Sequence, residues 1–282
     1  MLTSLAQPQA AAAVALLWSS FVGFLNEVEL KDDVEWYLAD SLTSKGVLLR
    51  PDPVQHYYRM ASPLLDGLIR NRLILHIFPD SPSSVPPLED GGKGLHVLGI
   101  LIKSLKFFNK ALIHLTASHS YKTSKVKISS VPDGGVPQES VHDTELMRIL
   151  SNWLWNRYDC MVTGQWHLQT DMKKHKYSDI VIQRNDDPMI VLELLATGDT
   201  GFVQWHIQKT PKYTALLSAK EAWVVHFTCK QDYHPIWQSD VELLGSVNVV
   251  HFTHDLDFTN EYALEGSCWK CSAWRSEVDG LI

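Results

Sequence analysis

Apolar positions in the first part of the chain recur at helical spacing, and a short region of strand character interrupts them. Asp32–Thr43 carries apolar side chains at the spacing of one helix face. Ser62, followed by a proline, is typical of a second helix start. Between these helices, Val47–Arg50 and His56–Met60 predict a short hairpin. Residues 1–78 are therefore predicted to form a small, mainly helical region.

Two further segments, one inside this region and one after it, have a distinctive composition. Ala10–Leu25 is apolar, but no Lys or Arg precedes it and it is short for a membrane span, so a buried helix is favoured over a secretion signal. Pro79–Gly94 contains four prolines and three glycines, which predicts a linker over residues 79–94. The order helix, hairpin, helix is compatible with a winged-helix-like unit, and one hypothesis for this unit is an interaction module that forms homo-oligomers.

Beyond the linker the pattern alternates between helix and strand. Helices are predicted over Glu139–Asn156 and Phe202–Leu217, and a strand over Met161–Leu168. Ala222–Thr228 and Val247–Phe252 are continuous apolar runs, which are typical of strands covered on both faces. With the hairpin described next, the order is α-β-β-β-α-β and one further strand. Such an order predicts a mixed sheet in which a meander precedes a helical crossover to a parallel strand.

Each strand of one predicted hairpin contains a single acid. Tyr177–Gln183 and Met189–Leu195 flank a polar turn, and a hairpin centred on position 186 places Asp179 directly opposite Glu193. Carboxylates about 5 Å apart repel each other unless a positive charge lies between them. An oxygen-preferring cation such as Mg²⁺ or Mn²⁺ satisfies this condition, and so does a salt bridge to a basic side chain.

Composition limits the function classes. The chain has 282 residues, 45% of them hydrophobic, and a net charge of −7, which argues against a surface coated with basic charge for nucleic acid. A local basic patch is compatible with this total, because the field at a site depends mostly on nearby charges. Four cysteines are too few for a disulfide scaffold, and Cys268 and Cys271 form a CxxC pair without a second pair to complete a zinc site.

The element order and the positions of the acids resemble the PD-(D/E)xK nuclease superfamily, which has a restriction-endonuclease-like core. The resemblance assigns the helical acid to Glu145, with Asp143 as a neighbouring option, and the strand acids to Asp179 and Glu193. It implies that these carboxylates hold Mg²⁺ or Mn²⁺ and activate water. The lysine of the family motif is replaced here by Leu195.

This replacement leaves two interpretations open. A basic residue from elsewhere takes the place of the lysine, with His206 and Lys209 on the next predicted helix as candidates, or the site binds without cutting. Further side chains that are candidates for nucleic-acid contact are Gln165, His167, Lys173, Lys174, Lys176 and Lys212.

Several segments resemble fungal Crinkler-type (CRN) effector-like proteins over roughly residues 25–260. They include YRMASPLLDGLIRN, SVHDTELMRILSNWL, KHKYSDIVI, IVLELLATG and LLSAKEAWVVHFTC. In that group a nuclease-like domain, here residues 95–282, follows an ATPase-related region, but this chain has no GxxxxGK[ST] phosphate loop. The resemblance implies a protein that is secreted, acts in a host nucleus, or both. DNA is the nucleic acid that we expect it to act on, and no membrane partner is expected. Hydrolysis of DNA phosphodiester bonds is one expectation, and the alternative is a degenerate nuclease fold that binds nucleic acid or a host protein without cutting.

Overall fold

The chain forms two units in a computed structural model. The units are Met1–Asp80 and Ser81–Ile282, and their boundary lies beside the predicted end of the first region at residue 78. The structure describes residues 2–23, 27–89, 92, 94–118, 139–155, 158–168, 176–185, 187–196, 198–229, 247–254, 263–268 and 271–277.

The first unit contains a small antiparallel sheet with the strand order β1-β3-β2. The predicted hairpin is confirmed, because β2 (Leu48–Leu49) pairs with β3 (Tyr57–Met60), whereas β1 (Val28–Glu29) was not predicted. The helices of this unit are α1 (Leu2–Leu5), α2 (Ala11–Leu16, continued by a π-helical turn over Leu17–Phe21), α3 (Asp33–Ser44), α4 (Pro63–Leu68, continued by a π-helical turn over Ile69–Leu73) and α5 (Ile74–Ile77).

Side-chain caps explain where two of these helices begin. The Asp32 carboxylate accepts hydrogen bonds from the first turn of α3, and the Ser62 hydroxyl accepts one from Leu65 N in α4. The apolar N-terminal segment forms a buried helix as predicted, with Val14 and Leu17 fully buried. Among the residues that the structure describes, no helix is long and apolar enough to cross a membrane.

The second unit is built on a seven-stranded mixed sheet with the order β10-β9-β8-β7-β6-β5-β4. Its strands are β4 (Cys160–Leu168), β5 (Lys176–Arg184), β6 (Ile190–Ala196), β7 (Glu221–Thr228), β8 (Val247–Thr253), β9 (Ala263–Cys268) and β10 (Cys271–Glu277). Strands β4 to β6 form an antiparallel meander, and β6, β7 and β8 run parallel. The predicted mixed α/β architecture is confirmed at this level, and the final β9–β10 hairpin was not predicted.

Helices cover both faces of this sheet. The helices of the second unit are α6 (Val97–Leu105), α7 (Lys110–Ser118), α8 (Glu139–Leu150, continued by a π-helical turn over Ser151–Trp155) and α9 (Thr200–Leu217). On one face, α6 and α8 contribute to the main core, where Ile149 shares a cluster with Leu192. On the other face, Ile207 of α9 belongs to a cluster with Leu195 and Val224. Because strand side chains alternate between faces, neighbours of Leu192 on β6 point toward α9.

The predicted linker is anchored to the second unit. Trp153 Nε1 donates a hydrogen bond to the Ser84 carbonyl at 2.8 Å, and Lys220 Nζ lies 2.7 Å from Glu89 Oε2. The described residues of this segment form only an isolated β-bridge between Leu88 and Leu95, and side chains of the second unit hold them in place.

Candidate functional site

The β5–β6 hairpin brings one acid from each strand to the same face of the sheet. The register pairs Ile180 with Leu192, so the next pair outward is Asp179 opposite Glu193, in agreement with a hairpin centred on position 186. Asp179 Oδ2 accepts a hydrogen bond from Leu194 N at 2.7 Å. This bond fixes the Asp179 carboxylate against the neighbouring strand.

Glu193 forms an ion pair with a lysine of α9, the helix that packs on this face of the sheet. Its side chain is 1% exposed, and Lys209 Nζ on α9 lies 3.1 Å from its Oε2 atom. Among the described residues, Glu193 Oε1 has no hydrogen-bond partner. A buried carboxylate oxygen without a partner is costly, so Oε1 of Glu193 has the capacity to bind a further ligand.

Burial dominates the electrostatics of the pair. Loss of solvation, and next the charge of Asp179, raise the pKa of Glu193 to about 8, while Lys209 lowers it. Burial also raises the pKa of the Tyr213 hydroxyl to about 12, with additional contributions from Glu193 and Asp179. Tyr213 is therefore a further side chain within the field of the two acids, and it was not predicted from the sequence.

Two aromatic rings position the lysine. Lys209 Nζ lies 4.7 Å from the centre of the Trp205 ring and 5.4 Å from that of Tyr213. These residues are four positions before and after Lys209, so they share its side of the helix. Cation–π contacts of this kind stabilise an ammonium that has lost part of its water. The spacing was visible in the sequence, but nothing there indicated that this face meets the acids.

His206 lies on the same helix but has a different environment. It is 5% exposed, and its ring packs edge-on against Phe202 and Trp205 at 4.6 and 4.7 Å. Burial, and then the charge of Lys209, lower the pKa of His206 to about 3. The side chain is thus a neutral imidazole at ordinary pH, and it supplies no positive charge in place of the motif lysine.

The structure does not bring Glu145 to the acid pair. Glu145 is fully buried on α8, the helix that covers the opposite face, and its two oxygens accept hydrogen bonds from Arg148 at 2.8 and 3.0 Å. It also accepts one from Asn109 N at 2.6 Å. Asp143, the neighbouring option, is buried on the same helix. Glu145 thus forms a bidentate ion pair with Arg148, three residues further along the same helix.

The remaining predicted positions divide into three groups. Leu195 is fully buried beside Ile207, so the position of the motif lysine belongs to the core. Gln165 is exposed on β4, opposite Asp179, and its φ of 50° is a strained backbone conformation for a residue within a strand. Exposed positions also include His167 and Lys212. Lys173, Lys174 and the side chain of Lys176 lie outside the described residues.

The oxygen donors of the pair fit a hard divalent cation. Asp179 and Glu193 supply carboxylates from adjacent strands, and Glu193 Oε1 is buried and unpartnered. In the part of the chain that the structure describes, no group of three or more His, Cys, Asp or Glu is placed to hold a metal ion. Mg²⁺ is commonly bound by one or two carboxylates, with water and substrate phosphate as its other ligands, so two carboxylates are sufficient for such a site.

A buried histidine pair lies on the same face of the sheet. His226 Nδ1 is 3.1 Å from His251 Nδ1, and His226 Nε2 accepts a hydrogen bond from Gly198 N at 3.2 Å. Because Nε2 is an acceptor, a neutral His226 carries its proton on Nδ1 and donates it to His251. Burial first, and then the neighbouring histidines, lower the pKa of His226 well below its usual value. The pair joins the start of α9 to the parallel strands.

Comparisons with known proteins give little further information. No protein-family model matches the chain, and no curated protein matches it. Among solved structures, it is similar to a chain in a refined half-complex from a tetradecameric assembly of Thermococcus gammatolerans McrB AAA+ hexamers with bound McrC. The identity is 9%, the alignment covers 90% of this chain and 74% of that chain, and the TM-score is 0.29. At this TM-score the similarity carries no argument about fold or function.

Proposed function

We propose that this chain is a metal-dependent nuclease-fold protein that hydrolyses DNA phosphodiester bonds. In this proposal the second unit is a restriction-endonuclease-like core, and Lys209 on α9 replaces the strand lysine of the PD-(D/E)xK motif. The observation that carries the proposal is the contact of 3.1 Å between Lys209 Nζ and Glu193 Oε2, directly beside Asp179. A lysine that reaches the acids from a neighbouring helix supplies the positive charge that Leu195 cannot.

Each residue of the site has a distinct role in the proposed reaction. Asp179 and Glu193 would hold Mg²⁺ or Mn²⁺, which when bound lowers the pKa of a coordinated water and offsets phosphate charge. The hydrogen bond from Leu194 N keeps Asp179 in position. Lys209, held between two aromatic rings, presents an ammonium near the place where negative charge develops on the phosphate. Tyr213 borders the same acids and stays protonated at ordinary pH.

The Crinkler-type effector assignment is part of this proposal and rests on sequence segments. Two of these segments, KHKYSDIVI and IVLELLATG, contain Asp179 and Glu193. Secretion, action in a host nucleus and homo-oligomer formation through the first unit are predictions from that resemblance and from the winged-helix-like order.

A degenerate nuclease fold that binds nucleic acid without cutting is the second candidate. One feature of the site favours it: burial and the charge of Asp179 raise the pKa of Glu193 to about 8, so without a metal ion this acid is largely protonated at neutral pH, even beside Lys209. A site that rarely ionises binds a metal weakly, and weak metal binding limits hydrolysis.

Cleavage of supercoiled DNA in Mg²⁺ or Mn²⁺ distinguishes the two candidates. The wild type is compared with Asp179→Asn and Glu193→Gln, and with Asp187→Asn, which changes an exposed acid in the turn of the same hairpin. The proposal predicts metal-dependent nicking by the wild type and by Asp187→Asn, with loss in both site variants. Absence of nicking by a folded wild type that still binds DNA supports the second candidate and contradicts the first.

A further inference from the structure

Two pairs of exposed aromatic rings border the acid site. On α9, Trp205 is 54% exposed and Phe202 is 42% exposed, and their rings stack 6.1 Å apart at 22°. On the sheet, Tyr177 is 50% exposed, and its ring centre lies 5.3 Å from that of the exposed His167. Single exposed aromatics are common on protein surfaces, but grouped ones beside a polar site are typical of binding surfaces.

Both aromatic pairs lie toward the same end of the acid pair. Tyr177 precedes Asp179 by two residues on β5, so it shares the face of Asp179 and lies nearer the carboxyl end of the antiparallel β6. Helix α9 begins shortly after that end of β6, and Trp205 is one turn closer to its start than Lys209. The aromatic rings of the strand and of the helix therefore both lie on the side of the acid pair that faces the carboxyl end of β6.

Cationic side chains accompany the aromatic rings. Lys209 contacts the Trp205 ring as well as Glu193, and Lys212 is exposed further along α9. Aromatic faces next to ammonium groups are complementary to unpaired nucleotides, whose bases stack while their phosphates pair with the cations. In a duplex the base faces are already stacked on one another, and only their edges are accessible.

We infer that this surface binds single-stranded DNA, with bases stacked on the Trp205–Phe202 and Tyr177–His167 pairs and the backbone directed toward the acid pair. The inference rests on the proposed function and makes it more specific, because it assigns an unpaired strand as the preferred substrate. Gln165, opposite Asp179, and the exposed Lys212 of α9 are expected to contact the same strand.

Fluorescence anisotropy of a labelled oligothymidylate tests the inference without catalysis, since EDTA prevents cleavage. The variants are Trp205→Ala and Tyr177→Ala, which lie on different elements, so failure of one to fold leaves the other informative. Trp155→Ala is the matched control, because Trp155 is 50% exposed and lies beyond α8 on the opposite face. Circular dichroism confirms folding of each variant.

The inference predicts that Trp205→Ala and Tyr177→Ala each weaken oligothymidylate binding about 5- to 150-fold, which corresponds to the roughly 1–3 kcal/mol of one stacked base. Trp155→Ala should bind like the wild type, and Trp205→Phe should recover most of the affinity. A paired oligothymidylate–oligoadenylate duplex should bind more weakly than the single strand.

Two results overturn the inference: equal affinity of folded Trp205→Ala, Tyr177→Ala and wild type, or equal affinity for single strand and duplex. Either result, together with metal-dependent cleavage of duplex DNA, leaves the proposed nuclease function intact. Normal aromatic-dependent binding without cleavage contradicts only the hydrolytic function.

Discussion

Replacement of Glu193 by glutamine should remove the part of the pH dependence of stability that comes from this acid. Burial and the neighbouring Asp179 raise the pKa of Glu193 from 4.5 to about 8, so between these values the folded protein keeps a proton that the unfolded chain releases. Stability therefore falls as pH rises through this window. The difference of about 3.5 (8 − 4.5), at about 1.36 kcal/mol per pH unit, sets an upper bound on the order of 5 kcal/mol. Glutamine fills nearly the same volume and cannot ionise.

Urea unfolding in EDTA, from about pH 5 to about pH 9, measures this effect as a difference between wild type and Glu193→Gln. The two proteins should have similar stability at the acidic end, and the variant should gain up to several kcal/mol over the wild type at the alkaline end. Contributions from titrating groups remote from Glu193 are common to both proteins and cancel, whereas Asp179 and Lys209, whose charges interact with Glu193, contribute to the measured difference. Asp187→Asn, an exposed acid of the same hairpin, serves as the control and should run parallel to the wild type. Parallel curves for Glu193→Gln and wild type would refute the reasoning.

Three further substitutions test the rest of the second unit. Arg148→Met leaves the Glu145 carboxylate buried without its partner, so the free energy of unfolding should fall by about 3–5 kcal/mol. Addition of Glu145→Gln to this variant should restore much of the loss. A double variant whose loss equals the sum of the two single losses contradicts the ion pair. Leu195→Lys recreates the motif sequence but buries an ammonium in the core. Urea unfolding should therefore show a loss of several kcal/mol in the free energy of unfolding, without faster cleavage of DNA. A variant that is as stable as the wild type and cleaves faster contradicts this. His226 stays neutral in the folded protein, so the free energy of unfolding decreases as the pH falls below 6.5. Between neutral pH and about pH 5, His226→Gln should lose up to about 2 kcal/mol less of this free energy than the wild type does. Equal losses in the two proteins contradict this.

The sequence was sufficient to predict the hairpin and its register. Apolar runs on both sides of a polar turn leave few alternatives, because a shift of one residue moves every side chain to the other face. The pairing of Ile180 with Leu192, and hence of Asp179 with Glu193, follows from this constraint. The helical crossover to β7 was predictable for a similar reason, since continuous apolar strands require cover on both faces.

The environment of single side chains was not predictable to the same extent. Glu145 has an arginine at i+3, and the sequence cannot decide between a metal and an ion pair, because both satisfy a buried carboxylate. The contact of Lys209 with Glu193 depends on how α9 crosses the sheet, which is a tertiary property. For the same reason His206 was a candidate base, whereas its buried position lowers its pKa to about 3.

The central claim is that Asp179 and Glu193 form a divalent cation site, and calorimetric titration with Mn²⁺ tests it most directly. Titrations at about pH 7 in buffers of different ionisation enthalpy also count the protons released. The wild type should bind Mn²⁺ and release close to one proton, because Glu193 has a pKa of about 8 before binding. Glu193→Gln should bind at least about tenfold more weakly and release no proton, while Asp187→Asn should match the wild type. Absence of Mn²⁺ binding by the wild type, or equal binding by Glu193→Gln, would contradict the account.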